Sequence, residues 1–196
     1  EHMDKILVIV DNGHGAETPG KRSPDGRLRE YDWCRKAARR LCGELGRRGV
    51  EAVLLVPEDA DIALSERCRR ARNLGSGRRA VLVSLHCNAA GNGKEWLGAS
   101  GWSAFVAPEA GAESWRLAVL MTAGARRRGL LGNRCTPPCG YWTAPLAICR
   151  VPFVAVLTEN MFQDNRSDAA FLMSERGLEE IVALHADAIC EYYEGE

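Results

Sequence analysis

Short apolar segments that alternate with amphipathic ones are the feature that most constrains how this chain can fold. The apolar segments are KILVIV (5–10), EAVLLV (51–56), AVLVSLH (80–86), GWSAFVA (101–107) and PFVAVLT (152–158). The first, third and last are nearly continuous apolar runs, which is typical of strands that are covered on both faces. The chain therefore predicts a sheet with helices packed against it.

The segments between the strands have the residue spacing of helices. In the first of these segments, apolar side chains recur on one side, and Gly49 stands where a helix would end. The apolar residues are Cys34, Ala37, Ala38, Leu41, Cys42 and Leu45. Further helices are predicted over 62–74, 113–130 and about 175–193. This order predicts a single α/β domain with a mainly parallel (mixed) twisted sheet and helices on both faces. His185 lies on the apolar stripe of the last helix, so we interpret it as a core-edge histidine.

Composition and charge exclude several classes of protein. A length of 196 residues fits one domain, and the formal net charge of zero gives no reason to expect nucleic acid as a partner. No segment approaches the ~18 consecutive apolar residues of a membrane span. No signal peptide is visible. Glu1 and His2 before Met3 resemble a cloning remnant, so the domain is expected over 4–193, and an export signal could have been removed upstream.

Eight cysteines occur along the chain, mostly at apolar positions of predicted helices and strands, where a free thiol behaves as a small hydrophobe. A domain of this size does not need disulfides. Cys135 and Cys139 form the one pair spaced for a local disulfide, and free thiols are favoured there. A metal site at this pair is not expected, because no further Cys or His lies close by in sequence.

Polar side chains follow three of the predicted parallel strands at their carboxyl ends. The first strand leads to His14, the third to His86 and Asn88, and the last to Glu159. Ligands gather at this edge of such sheets. Two imidazoles and an acid match a catalytic zinc site, which takes three protein ligands and leaves one position for water. Glu30, which opens the first helix, is the preferred third ligand, and Glu17 is the second choice.

Simpler interpretations of these residues stay open on the sequence alone. DNGHG (11–15) is also compatible with a turn that carries an incidental surface histidine. Glu159 alone could be an acid at a helix N-terminus. Trp102 could line a cleft, although an aromatic residue on a strand is more often part of the core.

Several motifs in sequence order resemble the zinc-dependent N-acetylmuramoyl-L-alanine amidases of the amidase-3 type. They are DNGHG, LREYDWCRKAARRL, LSERCRRARN, VSLHCNA, GWSAFVA and VPFVAVLTENMFQDN, and they extend from about residue 5 to 192. The resemblance implies that His14, Glu30 and His86 hold one zinc ion per chain and that Glu159 is the catalytic glutamate. It also places Arg67 and Asn73 in the family's helix motif and Asn88 in its H-x-N position.

The chain departs from the family pattern at three places. Asn12 stands where a proline is usual, and Met161 stands two positions after Glu159, where glycine is common. Met161 adds bulk to the expected turn of that motif. The segment between Asn88 and Gly101 is too short for the inhibitory helical insertion of some relatives.

The resemblance implies hydrolysis of the amide between N-acetylmuramic acid and the L-alanine of the peptidoglycan stem, by zinc-activated water with Glu159 as general base. It implies action at the bacterial cell wall, periplasmic or extracellular, on peptidoglycan or its muropeptides, and a monomer is expected. Two alternatives stay open: a zinc carboxypeptidase or other metallopeptidase that acts on the stem, and an inactive wall-binding module. The HxxE ligand pair expected of the first is absent, and the intact set of site residues argues against the second.

Overall fold

The computed structural model describes residues 6–195, and its centre is a six-stranded mixed sheet. The strands are β1 (Leu7–Asn12), β2 (Glu51–Leu54), β3 (Ala80–Asn88), β4 (Ser103–Val106), β5 (Trp142–Thr143) and β6 (Val154–Phe162). Their order across the sheet is β2-β1-β3-β6-β4-β5. β1, β2, β3 and β6 are mutually parallel, β4 runs antiparallel to β6, and β5 is parallel to β4. The predicted fold class is confirmed.

Residues 6–195 also contain five helices and one short 3-10 turn (Ala147–Cys149); two of the helices follow the last strand. The helices are α1 (Glu30–Arg47), α2 (Leu64–Gly75), α3 (Ala112–Arg127), α4 (Arg166–Met173) and α5 (Glu175–Glu194). Among the helices of residues 6–195, none combines the length and apolar character required to cross a bilayer.

The two faces of the sheet bury two separate cores. Along β1, Val8 and Val10 face the larger core, which contains the apolar sides of α1, α3 and α5. Leu7 and Ile9 alternate with them and face a smaller core beneath α2 and the 3-10 turn. Because side chains of a strand alternate between its faces, a strand covered on both sides is apolar throughout. This is the physical reason for the continuous apolar runs in the sequence.

The structure corrects several element boundaries. β3 continues beyond His86 to Asn88, and β6 continues to Phe162, so Glu159 lies within its strand rather than after it. The sequence analysis did not predict β5, the 3-10 turn or α4. α4 begins at Arg166, so Glu159 is not a helix N-terminal acid, and that interpretation is wrong. The expected cloning remnant at residues 1–3 lies outside the described residues.

All eight cysteines are free thiols. Cys34, Cys68, Cys87 and Cys149 are buried, as expected of thiols that serve as small hydrophobes. Cys135 and Cys139 are exposed and unbridged.

Candidate metal and catalytic site

Three side chains from different elements meet at the carboxyl edge of the parallel strands. His14 lies in the loop after β1, Glu30 is the first residue of α1, and His86 lies near the end of β3. Glu30 Oε1 is 3.3 Å from His14 Nε2 and 3.2 Å from His86 Nδ1. One ligand atom from each residue lies within 4.8 Å of the others. The sequence analysis expected these three residues to meet, and the structure brings their side chains together.

The backbone of His14 is held by two arginines. His14 has φ 61°, a left-handed conformation that is uncommon for a residue with a side chain. Its carbonyl accepts hydrogen bonds from Arg67 at 2.8 Å and from Arg35 at 3.1 Å. Arg67 also forms a buried ion pair with Asp11 at 2.8 Å. These contacts fix the carbonyl and thereby direct the imidazole towards Glu30.

His86 is positioned by close packing on one side and by a hydrogen bond on the other. A Cβ atom on Gly13 would lie 2.3 Å from His86 Cε1, so only glycine fits beside this ring. Asn160 donates from Nδ2 to the His86 carbonyl at 3.0 Å and accepts from the Trp102 indole at 2.8 Å. Trp102 is fully buried, so it is a core residue that acts on the site through Asn160.

Glu30 is a buried carboxylate with four donors around it. It is 1% exposed, and its Oε1 accepts a hydrogen bond from the Cys87 backbone at 3.0 Å, in addition to the two histidines. Gln163 lies 3.3 Å from Oε2. Burial acts to raise the pKa of Glu30, but the hydrogen bonds from His14 and His86 outweigh it and hold the pKa well below its usual value. Glu30 is therefore ionised at neutral pH.

Glu159 lies directly opposite His86 in the register of β3 and β6. Burial raises the pKa of Glu159 to about 7, opposed by the charge of His86 and reinforced by that of Glu30. Its Oε2 is buried without a hydrogen-bond partner among the described residues. A carboxyl group with a pKa near neutrality is suited to accept and return a proton.

The strand that carries Glu159 contains an irregularity immediately after it. The register of β3 and β6 shifts between His86 and Asn88, where one extra residue of β6 is accommodated. Met161 lies there with φ 65°. This is a β-bulge inside a strand, not the turn expected from the sequence, and it explains why a glycine suits the position.

The donor set fits a divalent metal ion such as zinc. Two imidazoles and one carboxylate are typical catalytic zinc ligands, and here an ionised, buried carboxylate faces both rings. A cavity of about 400 Å³ opens beside His14 and His86, bordered by Ile62, Leu64 and Ile148. The site therefore has room for a substrate next to the donors.

Other residues singled out in the sequence are not part of this donor cluster. Glu17 is exposed and accepts from the Asp61 backbone at 2.9 Å, so it does not join the cluster. Asn73 is exposed on α2. Asn88 accepts from the Ala89 backbone at 2.9 Å. His185 is fully buried and lies 2.9 Å from the Thr158 hydroxyl, which confirms a structural role in the core.

Sequence reasoning missed three residues that orient the site, namely Arg35, Asn160 and Gln163. Arg35 is 2% exposed although it lies on a helix with many solvated arginines, so composition gave no signal for it. Asn160 and Gln163 belong to the same motif as Glu159, and their polar character within and directly after an apolar strand was the available signal.

Comparison with known proteins gives one family across almost the whole chain. The model of the amidase-3 family, described as N-acetylmuramoyl-L-alanine amidase, matches residues 8–191. An endolysin of Bacillus phage SPP1 is 30% identical over an alignment of 189 residues, and the match covers 94% of this chain and 65% of the endolysin. The chain thus spans less than two thirds of that relative.

Solved structures of similar fold include two amidases. An N-acetylmuramoyl-L-alanine amidase from Clostridium difficile 630 superposes with a TM-score of 0.85 at 22% identity, over 98% of this chain and 99% of that one. The catalytic domain of CwlV, an N-acetylmuramoyl-L-alanine amidase from Bacillus (Paenibacillus) polymyxa var. colistinus, superposes with a TM-score of 0.80 at 25% identity, over 98% and 99% of the two chains.

Proposed function

The chain belongs to the family of N-acetylmuramoyl-L-alanine amidases, and on that premise we propose that it hydrolyses the amide between N-acetylmuramic acid and L-alanine in peptidoglycan. The observation that carries the proposal is the position of Glu159, opposite His86 and beside a cluster of three metal-ligand side chains. We propose that residues 4–193 form the catalytic domain.

We propose that His14, Glu30 and His86 hold one zinc ion. When bound, zinc acts as a Lewis acid that lowers the pKa of a water molecule and polarises the scissile carbonyl. The protein supplies a carboxylate that is already ionised and two histidines whose backbone carbonyls are held by Arg35, Arg67 and Asn160. Ligands held in this way lose little freedom on binding the metal.

Glu159 is the general base and acid in this proposal. Its carboxylate accepts a proton from the water that attacks the lactyl carbonyl carbon, and returns a proton to the alanine nitrogen as the C–N bond breaks. The products are a carboxylic acid on the sugar and a free amine on the peptide. The pKa of Glu159, raised to about 7 by burial, favours both transfers near neutral pH.

The substrate determines where the protein acts. Peptidoglycan or soluble muropeptides would be the partner, encountered at the bacterial cell wall on the periplasmic or extracellular side. We propose that the domain works as a monomer and that it does not bind nucleic acid, in keeping with its formal net charge of zero.

Defined muropeptides test the proposed reaction. The chelated and dialysed protein is assayed with and without one equivalent of zinc, and the cleaved bond is identified by mass spectrometry. We expect free stem peptide with an N-terminal L-alanine only in the zinc-loaded sample. Cleavage between two residues of the stem would indicate a metallopeptidase instead. Binding to cell walls without any cleavage would indicate an inactive wall-binding module.

A further inference from the structure

Arg134 lies over two aromatic rings at the end of the candidate catalytic strand. Its guanidinium carbon is 4.7 Å from the centroid of the Trp142 ring and 5.6 Å from that of Phe162. Phe162 ends β6, three residues after Glu159. Rings on two elements therefore hold the planar guanidinium near the carboxyl edge where the proposed catalytic residues lie.

Arg134 has no acidic partner. Within residues 6–195 it makes no ion pair and no side-chain hydrogen bond, and its Nε is buried. The buried arginines elsewhere in the described residues do have partners. Arg67 pairs with Asp11, and Arg35 donates to four backbone carbonyls. A buried donor without an acceptor is unfavourable. An anion bound at the guanidinium would satisfy it.

Two further donors close to Arg134 also lack an acceptor. The indole Nε1 of Trp142 and the hydroxyl of Thr136 are both buried without a partner in the described part of the chain. Arg134 also acts electrostatically on Glu159, since its positive charge is among those that lower the pKa of that carboxyl group. The guanidinium thus lies at the carboxyl end of β6, over Phe162 and near Glu159, with unused donors beside it.

We propose that Arg134 binds a carboxylate of the stem peptide next to the scissile amide and selects stems that keep this group free. This inference rests on the proposed function. On the sugar side of the scissile bond the substrate offers hydroxyl and acetamido groups. The stem residue after L-alanine is a glutamate joined through its side chain, whose α-carboxyl group is either free or amidated. A guanidinium is planar and presents its N–H groups as a fork that matches a carboxylate and not a carboxamide.

A matched pair of substrates tests the selection. N-acetylmuramoyl-L-alanyl-D-isoglutamate and N-acetylmuramoyl-L-alanyl-D-isoglutamine differ only in the carboxylate or carboxamide. With the zinc-loaded wild-type protein we expect KM to be about 10-fold to 100-fold lower for the acid, the equivalent of one charge-assisted hydrogen-bonded pair. The kcat values of the two substrates should be similar.

Arg134→Gln should raise KM for the acid to the value for the amide and leave the amide's KM nearly unchanged. Arg134→Lys keeps the positive charge but not the guanidinium fork, so its KM for the acid should lie between those of wild type and Arg134→Gln. Arg79→Gln is the matched control, because Arg79 also lies over an aromatic ring, 6.0 Å from the centroid of Tyr193, but precedes β3 at the opposite edge of the sheet. This control should retain the wild-type preference.

Several outcomes would overturn the inference. If the wild-type protein cleaves both substrates with equal KM, it does not recognise the α-carboxylate of the stem, although it remains an amidase. An Arg134→Gln variant that loses kcat equally on both substrates would show that Arg134 acts only on Glu159 or on packing. Should this variant fail to fold, Arg134→Lys and the wild-type ratio still decide. Failure to cleave either substrate at the lactyl amide would instead reject the proposed function itself.

Discussion

Glu159 and Glu30 are two carboxylates in one site with opposite titration behaviour. Two histidines hydrogen-bond to Glu30 and hold its pKa well below the usual value, whereas burial raises the pKa of Glu159 to about 7. Environments that separate the pKa values of neighbouring acids also separate their roles. Glu30 is thereby suited to bind a cation and Glu159 to transfer protons.

The Glu159→Gln variant distinguishes these roles. Glutamine keeps the shape of the side chain but accepts no proton, so we expect hydrolysis to fall by about 10²-fold to 10⁴-fold. Bound zinc and melting temperature should stay close to wild type, because the proposed ligands are unchanged. Turnover of muropeptides, elemental analysis and thermal unfolding measure the three quantities.

His86→Ala is the comparison for that variant. It removes a proposed ligand, so zinc content and turnover should fall together. Retained turnover in Glu159→Gln would reject Glu159 as the base, and full zinc content in His86→Ala would reject the ligand assignment.

Gly13 gives a second test at the scale of a residue. A methyl group there would overlap the His86 ring, with its Cβ 2.3 Å from Cε1, and would displace the imidazole. We expect Gly13→Ala to weaken zinc affinity by about 10-fold to 100-fold, as when other groups that orient ligands are lost. Competition with a chromogenic chelator measures this affinity. Gly98→Ala is the control, since Gly98 is exposed and its Cβ would meet open space; equal affinities in both variants would contradict the close-packing argument.

The site residues that sequence could predict are those with chemically distinctive side chains at strand ends. His14, His86 and Glu159 follow apolar runs, and the order of those runs is enough to bring them to one edge. The orienting residues could not be found in the same way. Arg35 and Arg67 resemble the solvated arginines around them, and only the folded loop shows that both donate to the carbonyl of His14.

At the scale of elements, the lengths of β3 and β6 were the least predictable feature. Polar residues such as His86 and Glu159 end the apolar pattern, yet hydrogen bonding to the neighbouring strand continues to Asn88 and Phe162. A bulge at Met161 absorbs the mismatch. The ladder extends past the apolar run because partner strands, and not side-chain character, satisfy the backbone there.

The contact between α5 and β6 contains a buried histidine that should make stability depend on pH. On α5, His185 Nδ1 lies 2.7 Å from the Ile181 carbonyl, and Nε2 lies 2.9 Å from the Thr158 hydroxyl. Because a carbonyl only accepts, Nδ1 donates to it, and Nε2 of the neutral ring accepts from the hydroxyl. Burial lowers the pKa of His185 to about 4, with a smaller contribution from the charge of Arg128. The Trp102 ring also packs against it.

The sign of this dependence follows from the direction of the shift. Between pH ~6.5 and about 4 the unfolded chain binds a proton at His185 that the folded chain does not, so stability falls as pH falls through this range. At pH 5 the loss would be about 2 kcal/mol relative to pH 7.5, from the difference between the two pKa values. Glu159, with its raised pKa, acts in the opposite direction.

Urea unfolding of wild type and His185→Gln at pH 7.5 and 5, with zinc held constant, isolates this contribution. Both proteins share Glu159 and the other carboxyl groups, so their effects cancel in the comparison. We expect wild type to lose about 2 kcal/mol more than the variant between the two pH values. Identical losses would show that His185 does not titrate differently on folding.

For the whole molecule, the division into two cores follows from the sequence more directly than the site does. Continuous apolar runs in β1, β3 and β6 predict central strands, and the structure places them side by side with a core on each face. The antiparallel β4 and the two-residue β5 extend this sheet at one edge. The sequence predicted β4 within 101–107, but the two residues of β5 are too few to show a pattern, and the position of β5 depends on its pairing with β4.

The cysteines provide the last test, which concerns the stability of the whole chain. All eight are free in the structure, and burial raises the pKa of Cys34 and of Cys87, which keeps these thiols protonated and unreactive at neutral pH. The melting temperature in dithiothreitol, with zinc in excess, should therefore equal that without reductant. A disulfide between Cys135 and Cys139 would close a short loop and add about 2 kcal/mol to the free energy of unfolding. Its reduction would lower the melting temperature of a domain of this size by roughly 4–8 °C. Cys135→Ser removes that possibility and is the matched control. A fall of this size in wild type that is absent in Cys135→Ser would show that the protein in solution carries a disulfide between these two residues.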